Sequence, residues 1–200
     1  MATPAGQVTL AGVMLRLCVI LWCVFGASAW ADPERYALDA GQSTVGFTYD
    51  FTGREVQGQM PVADADLLID LDRVSASRVA VSLDPSKADG GFAFASQALR
   101  SAQVLDAARH PRITFQSTSI TGDLSGARVT GNLTVRGVTR PVTLNAALYR
   151  QQGTAAGERD RLSIILTGAV DRTAFGASGY PGYVGPVIDI TILARVDRVR

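Results

Sequence analysis

From Tyr36 to Val196 the chain is a succession of runs in which apolar and polar residues alternate, the period of strands with one dry face and one wet face. Tyr36 and Leu38 open the series. Val45, Phe47 and Tyr49 alternate with Thr44, Gly46 and Thr48, and Val56, Gly58 and Met60 continue the pattern. Residues 67–71 and 79–83 are two short strand candidates separated by the polar stretch 72–77. After Asp89-Gly90-Gly91 the period changes, and Ala95, Ala98, Leu99 and Ala102 fall at i, i+3, i+4 and i+7, one apolar stripe on a short helix. That helix is predicted to end before His110-Pro111, because a residue preceding proline is pushed out of the α region. Strands resume over 113–121, turn at 123–126 and return with Val129, Gly131, Leu133 and Val135 on one face. After the Arg136-Gly137 turn come Val142 to Leu148, Leu162 to Val170 and Ile188 to Val196, the most cleanly two-faced runs.

Eight or nine strands with one inserted helix predict an all-β fold, either a sandwich or an antiparallel barrel closed so that no edge is exposed. Closure near eight strands leaves an interior that is filled by side chains or holds one small ligand, and function turns on that choice. A membrane-spanning barrel shows the same alternation but brings aromatic girdles at both interfaces; here the aromatics are few and scattered. Composition agrees with strands, since Glu occurs only at 34, 55 and 158 and Lys only at 87, while Val, Thr and Ile are plentiful.

The amino terminus reads differently. Arg16 precedes the uncharged apolar run Leu17 to Phe25 and a small-residue stretch ending in Ala29-Trp30-Ala31, which fits the cleavage rule of a secretory signal. The expectation is a cleaved signal peptide over 1–31 and one domain over 32–200, exported to the periplasm. The 15 uncharged residues from Leu17 to Ala31 fall short of the roughly 20 that a spanning helix needs. The stretch before Arg16 is long for such a signal, and Met14 is an alternative start. Cys18 and Cys23 both lie in this leader, so the mature chain is expected to have no thiol or disulfide. Of 19 basic and 18 acidic residues, Arg16 alone is lost with the leader, and a mature chain with no net charge has no field for polyanions. Nucleic acid is not an expected partner.

Candidate chemistry is sparse. His110 is the only histidine, so a Ser-His-Asp or general-base scheme must run through it, and its position before Pro111 suits a turn better. Asp70 and Asp72 lack a calcium-loop pattern, and no nucleophile elbow, phosphate loop or dinucleotide fingerprint occurs. No enzyme, metal or cofactor is expected. Arg100 and Arg172 are candidates for holding a polar head group, against the alternative of ion pairs with Asp106, Asp39 or Asp171. Arg136 and Arg140 flank a tight turn and are expected in solvent. The inward apolar phase supplies the candidate cavity lining: Phe47, Tyr49, Met60, Phe115, Leu133, Leu144, Leu166 and Ile190, against ordinary core packing as the alternative. Phe92, Phe94 and Leu99 are placed over its mouth, and Phe175 joins the lining set. Glycines at 46, 58, 131 and 168 are read as inward positions that leave room for a ligand. The Gly- and Pro-rich segment 175–186 reads as a long mobile loop, with Tyr180 and Tyr183 as lips of a gate.

Specific segments resemble a known family. Tyr36-Ala37-Leu38-Asp39, Ser43-Thr44-Val45-Gly46-Phe47, Ala98-Leu99-Arg100-Ser101 with Leu105-Asp106, and His110-Pro111-Arg112-Ile113-Thr114-Phe115 are similar to successive landmarks of the YceI-like polyisoprenoid-binding proteins. The run from Gly131 to Leu144 resembles the G-x-L-T-x-R-G-V-T-x-P-V-x-L signature of that family, and Asp171-Arg172-Thr173-Ala174-Phe175-Gly176 its later N-R-x-x-F-G segment. The resemblance implies a lipocalin-like antiparallel barrel of about eight strands, periplasmic, whose cavity holds an isoprenoid-type lipid such as a quinone tail or polyprenyl compound. Three histidines often present in the family are replaced here by Gln42, Phe51 and Ala98. Two rival readings fit the same residues: a filled barrel serving as an interaction module for a membrane partner, with transient membrane contact, and a lipid-modifying enzyme.

Overall fold

The computed structural model describes residues 33–149, 155 and 157–200; the expected signal peptide over 1–31 lies outside the described residues. The alternating runs form ten antiparallel strands: β1 (Glu34–Leu38), β2 (Thr44–Phe51), β3 (Arg54–Met60), β4 (Val62–Ile69), β5 (Arg78–Leu83), β6 (Ile113–Gly122), β7 (Ala127–Val135), β8 (Val138–Tyr149), β9 (Arg161–Asp171) and β10 (Val184–Arg198). One helix, α1 (Ala93–Arg100), interrupts them. The sheet closes on itself. Neighbouring strands run β1-β4-β5-β6-β7-β8-β9-β10, and β10 then pairs with β1, which makes an eight-stranded barrel.

The barrel has the expected eight strands, and the segments number ten because the β1–β2 and β3–β4 lines are each broken once. β10, 15 residues long, pairs with β9 along one edge and with both β2 and β1 along the other. Residues 39–43 turn between β1 and β2, and Pro61, which lacks an N–H for the ladder, separates β3 from β4. The β2–β3 hairpin therefore prolongs the barrel wall at one end. Its two-residue turn, Thr52-Gly53, and the Arg136-Gly137 turn of β7–β8 have positive φ at both positions, 52° and 80°, then 52° and 77°. Such turns match the right-handed twist of the strands they join. Both tips lie at the end stoppered by segment 84–112, which carries α1, and by the loop from Arg172 to Tyr183.

Two clusters of buried residues pack the interior, and Ile120, Val129, Leu144 and Phe175 are among those buried outside them. Tyr36, Leu67, Ile69, Leu162 and Val196 pack the far end, and Met60, Ala88, Leu105 and Ile113 pack beneath segment 84–112. Tyr36 is 2% exposed, and its hydroxyl donates to the Arg159 carbonyl at 2.8 Å. Burial, with help from the Glu34 carboxylate, pushes the phenol up to about 12. The fold thus favours the neutral phenol. Its contribution is full below the unfolded value near 10 and is lost as pH rises toward about 12. Tyr36→Phe is expected to cost about 1 kcal/mol at pH 8 through the lost hydrogen bond, and to flatten the loss of stability between pH 10 and 12. Denaturant midpoints of both proteins at pH 8 and pH 11 check this.

The inward glycines correct one expectation. A Cβ at Gly58 would overlap the Phe47 ring, one at Gly131 the Phe115 ring, and one at Gly168 would stand 2.5 Å from Leu144 Cδ2. These glycines do not open the lumen; each is covered by a large side chain of a neighbouring strand. Gly46 falls on the outer phase, its Cβ position 3.2 Å from the Thr191 carbonyl. Gly131→Ala also meets the Gln116 carbonyl at 2.5 Å, so neither ring nor backbone can yield cheaply. It is expected to cost about 2 kcal/mol, and more than Gly168→Ala, where the nearest atom ends a flexible side chain. Thermal unfolding of the two variants decides the order.

Candidate functional site

The strand alternation points one apolar phase at the barrel axis, and that interior is a file of three cavities. The mouth cavity, about 360 Å³, lies between β2 and β10 on one side and α1 on the other. Phe47, Tyr49, Phe51 and Ile188 form its wall, and Phe94, Ala98, Leu99, Tyr180 and Tyr183 its cover. A middle cavity of about 180 Å³ follows, lined among others by Met60, Leu133, Phe175 and Ile190. The far cavity, about 160 Å³, is walled by Phe115, Leu144, Leu166 and Ile192. Phe47, Leu99, Val104, Arg172 and Ile188 are common to the first two, and Val45 is common to the second and third. Phe47, Leu133, Leu166, Ile190 and Ile192 face this space yet are only half-buried. Their remaining surface is the wall of an interior that side chains do not fill.

The structure therefore brings eleven of the twelve apolar residues singled out from the sequence to the cavity walls. The exception is Phe92. It lies outside the three cavities, 39% exposed, with its ring edge-on to Phe51 at 5.6 Å. Of the positions where the resemblance leads one to expect histidine, Phe51 and Ala98 line the mouth cavity, while Gln42 sits in the β1–β2 turn on Asp39. His110 lines none of the three; its ring packs against Gly137, and its backbone N–H donates to the Asp106 carbonyl at 2.9 Å.

Arg172 is the charged group in the wall of the mouth and middle cavities. Asp171 caps the short 3-10 turn Arg172–Phe175 by accepting from the Thr173 N–H at 2.8 Å, and Gly176 reverses the chain with φ 74°. That geometry turns Arg172 inward, where it is 7% exposed. Its guanidinium donates to the carbonyls of Gly185 at 2.8 Å, Gly179 at 2.8 Å and Val184 at 2.7 Å, and to that of Ala177. Burial holds its pKa below the ordinary arginine value, opposed by the nearby Asp171 carboxylate. Four of its five N–H donors are thus spent on the loop carbonyls of Ala177 and Gly179 and on the first two residues of β10, which ties that segment to the barrel. Arg100 is exposed at the end of α1 and lines none of the cavities.

Arg136 corrects a second expectation. It is not in solvent; Nη1 donates to the Ala102 and Val104 carbonyls, both at 2.7 Å, and fastens the β7–β8 turn to the segment after α1. Tyr49, pushed up by burial and by Asp89, donates to the Gly90 carbonyl at 2.7 Å and fixes the other side of the mouth. Val104 and Leu105 also reach the lumen, and no periodicity marks them because they follow the helix in irregular chain. Among the described residues no three His, Cys, Asp or Glu side chains converge as metal ligands.

A family model described as YceI-like domain matches residues 36–196. A UPF0312 protein of Pectobacterium atrosepticum is 30% identical over 139 residues, 69% of this chain and 72% of its own length. Protein YceI of Salmonella arizonae is 40% identical over 88 residues, 44% of this chain and 46% of its own. Among solved structures, BcnA of Burkholderia cenocepacia superposes with a TM-score of 0.70 at 17% identity, covering 80% of this chain and 99% of BcnA. A polyisoprenoid binding domain from Saccharophagus degradans, implicated in plant cell wall breakdown, gives 0.57 at 12% identity, covering 83% and 99%.

Proposed function

The chain belongs to the YceI-like family, and from that premise we propose that it is a periplasmic, non-enzymatic carrier that holds the apolar tail of a polyisoprenoid or quinone-like amphiphile along the barrel axis. The observation that carries this reading is the file of three apolar cavities, each adjoining the next through shared wall residues from mouth to far end. Each methylene moved from water into such a space contributes about 0.8 kcal/mol, so a tail of several isoprene units binds well without a polar anchor. Phe47, Leu99, Met60, Leu133 and Ile190 grip the outer half of the tail, and Phe115, Leu144 and Leu166 its end. The polar group stays at the mouth, where Arg172 has one N–H left to donate. Arg100, outside the lumen, reaches at most the part of a head group that projects into water.

A shared fold with a polyisoprenoid binding domain supports the ligand class, and the apolar run and Ala29-Trp30-Ala31 before the barrel support export. A filled barrel acting only as an interaction module is disfavoured by the half-buried inward side chains. The test is a titration with isoprenoid alcohols of increasing length. Affinity is expected to rise with each added unit until the lumen is full and then to level off. Affinity independent of length would remove the reading.

A further inference from the structure

The rim of the mouth carries exposed aromatic rings. Phe94, in the first turn of α1, is 61% exposed, Tyr183 60% and Phe92 39%. They come from the start of α1 and from the residue before β10, and each packs on a ring of the mouth. Phe92 stands edge-on to Phe51, Phe51 stacks on Tyr183 at 6.5 Å, and Phe94 stands edge-on to Tyr180 at 6.4 Å. Phe51, Phe94, Tyr180 and Tyr183 also line the mouth cavity, so the exposed rings continue the apolar interior outward. Aromatic rings left in water around one opening mark a surface that meets an apolar partner.

We infer that this rim docks on the surface of a neutral lipid bilayer, with Phe92, Phe94 and Tyr183 entering the head-group zone and the mouth cavity facing the acyl chains. The inference rests on the carrier reading: a tail too apolar for water must pass between lumen and lipid without crossing solvent, and it passes at the mouth. Aromatic side chains are the residues that settle at a membrane interface. The charges flanking the rings, Asp50, Arg54, Glu55, Asp89 and Arg100, are of both signs, so the rim offers no basic field for anionic lipid. Apolar insertion, not charge, is the attraction.

The experiment is flotation with phosphatidylcholine vesicles, using the chain as its host processes it. The wild type is expected to float, at low and high salt alike. Phe92→Ser and Phe94→Ser are each expected to weaken partition by about tenfold, the effect of returning one half-buried phenyl group to water. Val199→Ser, which alters another half-exposed apolar residue beyond the end of β10, is expected to change nothing. Because the Phe92 ring lies outside the lumen, Phe92→Ser keeps the solution affinity for isoprenoid alcohols while losing vesicles. Absence of flotation, equal flotation of all variants, or flotation only with phosphatidylglycerol at low salt would each overturn the inference. So would cross-linking of the rim to a membrane protein in native envelopes without affinity for vesicles. A protein that binds isoprenoid alcohols but ignores vesicles leaves the carrier reading standing; one that does neither removes both.

Discussion

Arg172→Met is expected to lower stability by about 3 kcal/mol and to free the loop that ends at β10. The side chain keeps its length and suits the apolar wall, so the loss isolates the guanidinium. Four carbonyls, those of Ala177, Gly179, Val184 and Gly185, lose their donor at once. Each hydrogen bond from a charged donor contributes about 1.5–3 kcal/mol, but half-buried carbonyls recover part of this from water and the cost of burying the cation disappears, which brings the total well below the four-bond sum, to about 3 kcal/mol. Arg172→Lys offers three N–H groups from one atom and cannot span the same carbonyls, so it is expected to recover less than half. Hydrogen exchange should locate the effect, with protection lost over residues 176–185 and kept in β7 and β8. Unchanged exchange there would mean that the loop is held by other contacts.

The second large effect concerns Val45, the residue common to the middle and far cavities. Val45→Trp fills that junction. Tails short enough for the mouth and middle cavities are expected to bind as before, while longer ones lose the burial of each excluded isoprene unit. Five carbons at about 0.8 kcal/mol each make about 4 kcal/mol per unit, so a loss of roughly a hundredfold or more is expected for one excluded unit even after partial accommodation. The enlarged side chain enters existing space, which keeps the stability cost within about 1–3 kcal/mol. Equal affinity of variant and wild type across all tail lengths would mean that the tail does not run along this axis.

The barrel was legible because alternation reports which side of a strand faces the dry interior, and the runs from Val45 to Tyr49 and from Ile188 to Val196 carry it without a break. Strand bounds were less so, since β4 begins at Val62, directly after Pro61, while its apolar run is readable only from Leu67. The lining residues were readable for the same reason as the strands. The glycines were not. A sequence shows that Gly131 lacks a side chain but not that the Phe115 ring occupies the place. The anchoring of Arg172 and Arg136 was hidden for a related reason: their partners are backbone carbonyls, which every residue has and no letter marks. Phe92, placed over the mouth from its neighbourhood in sequence, stands at the rim of that mouth with its ring on Phe51, outside the cavity itself.

The most direct test of the central claim is mass spectrometry of organic extracts from the protein purified gently from its native envelope, beside a non-binding control. The account predicts one isoprenoid-type species in stoichiometric amount, released only on denaturation. Empty extracts that stay empty after incubation with quinones and polyprenols would contradict it.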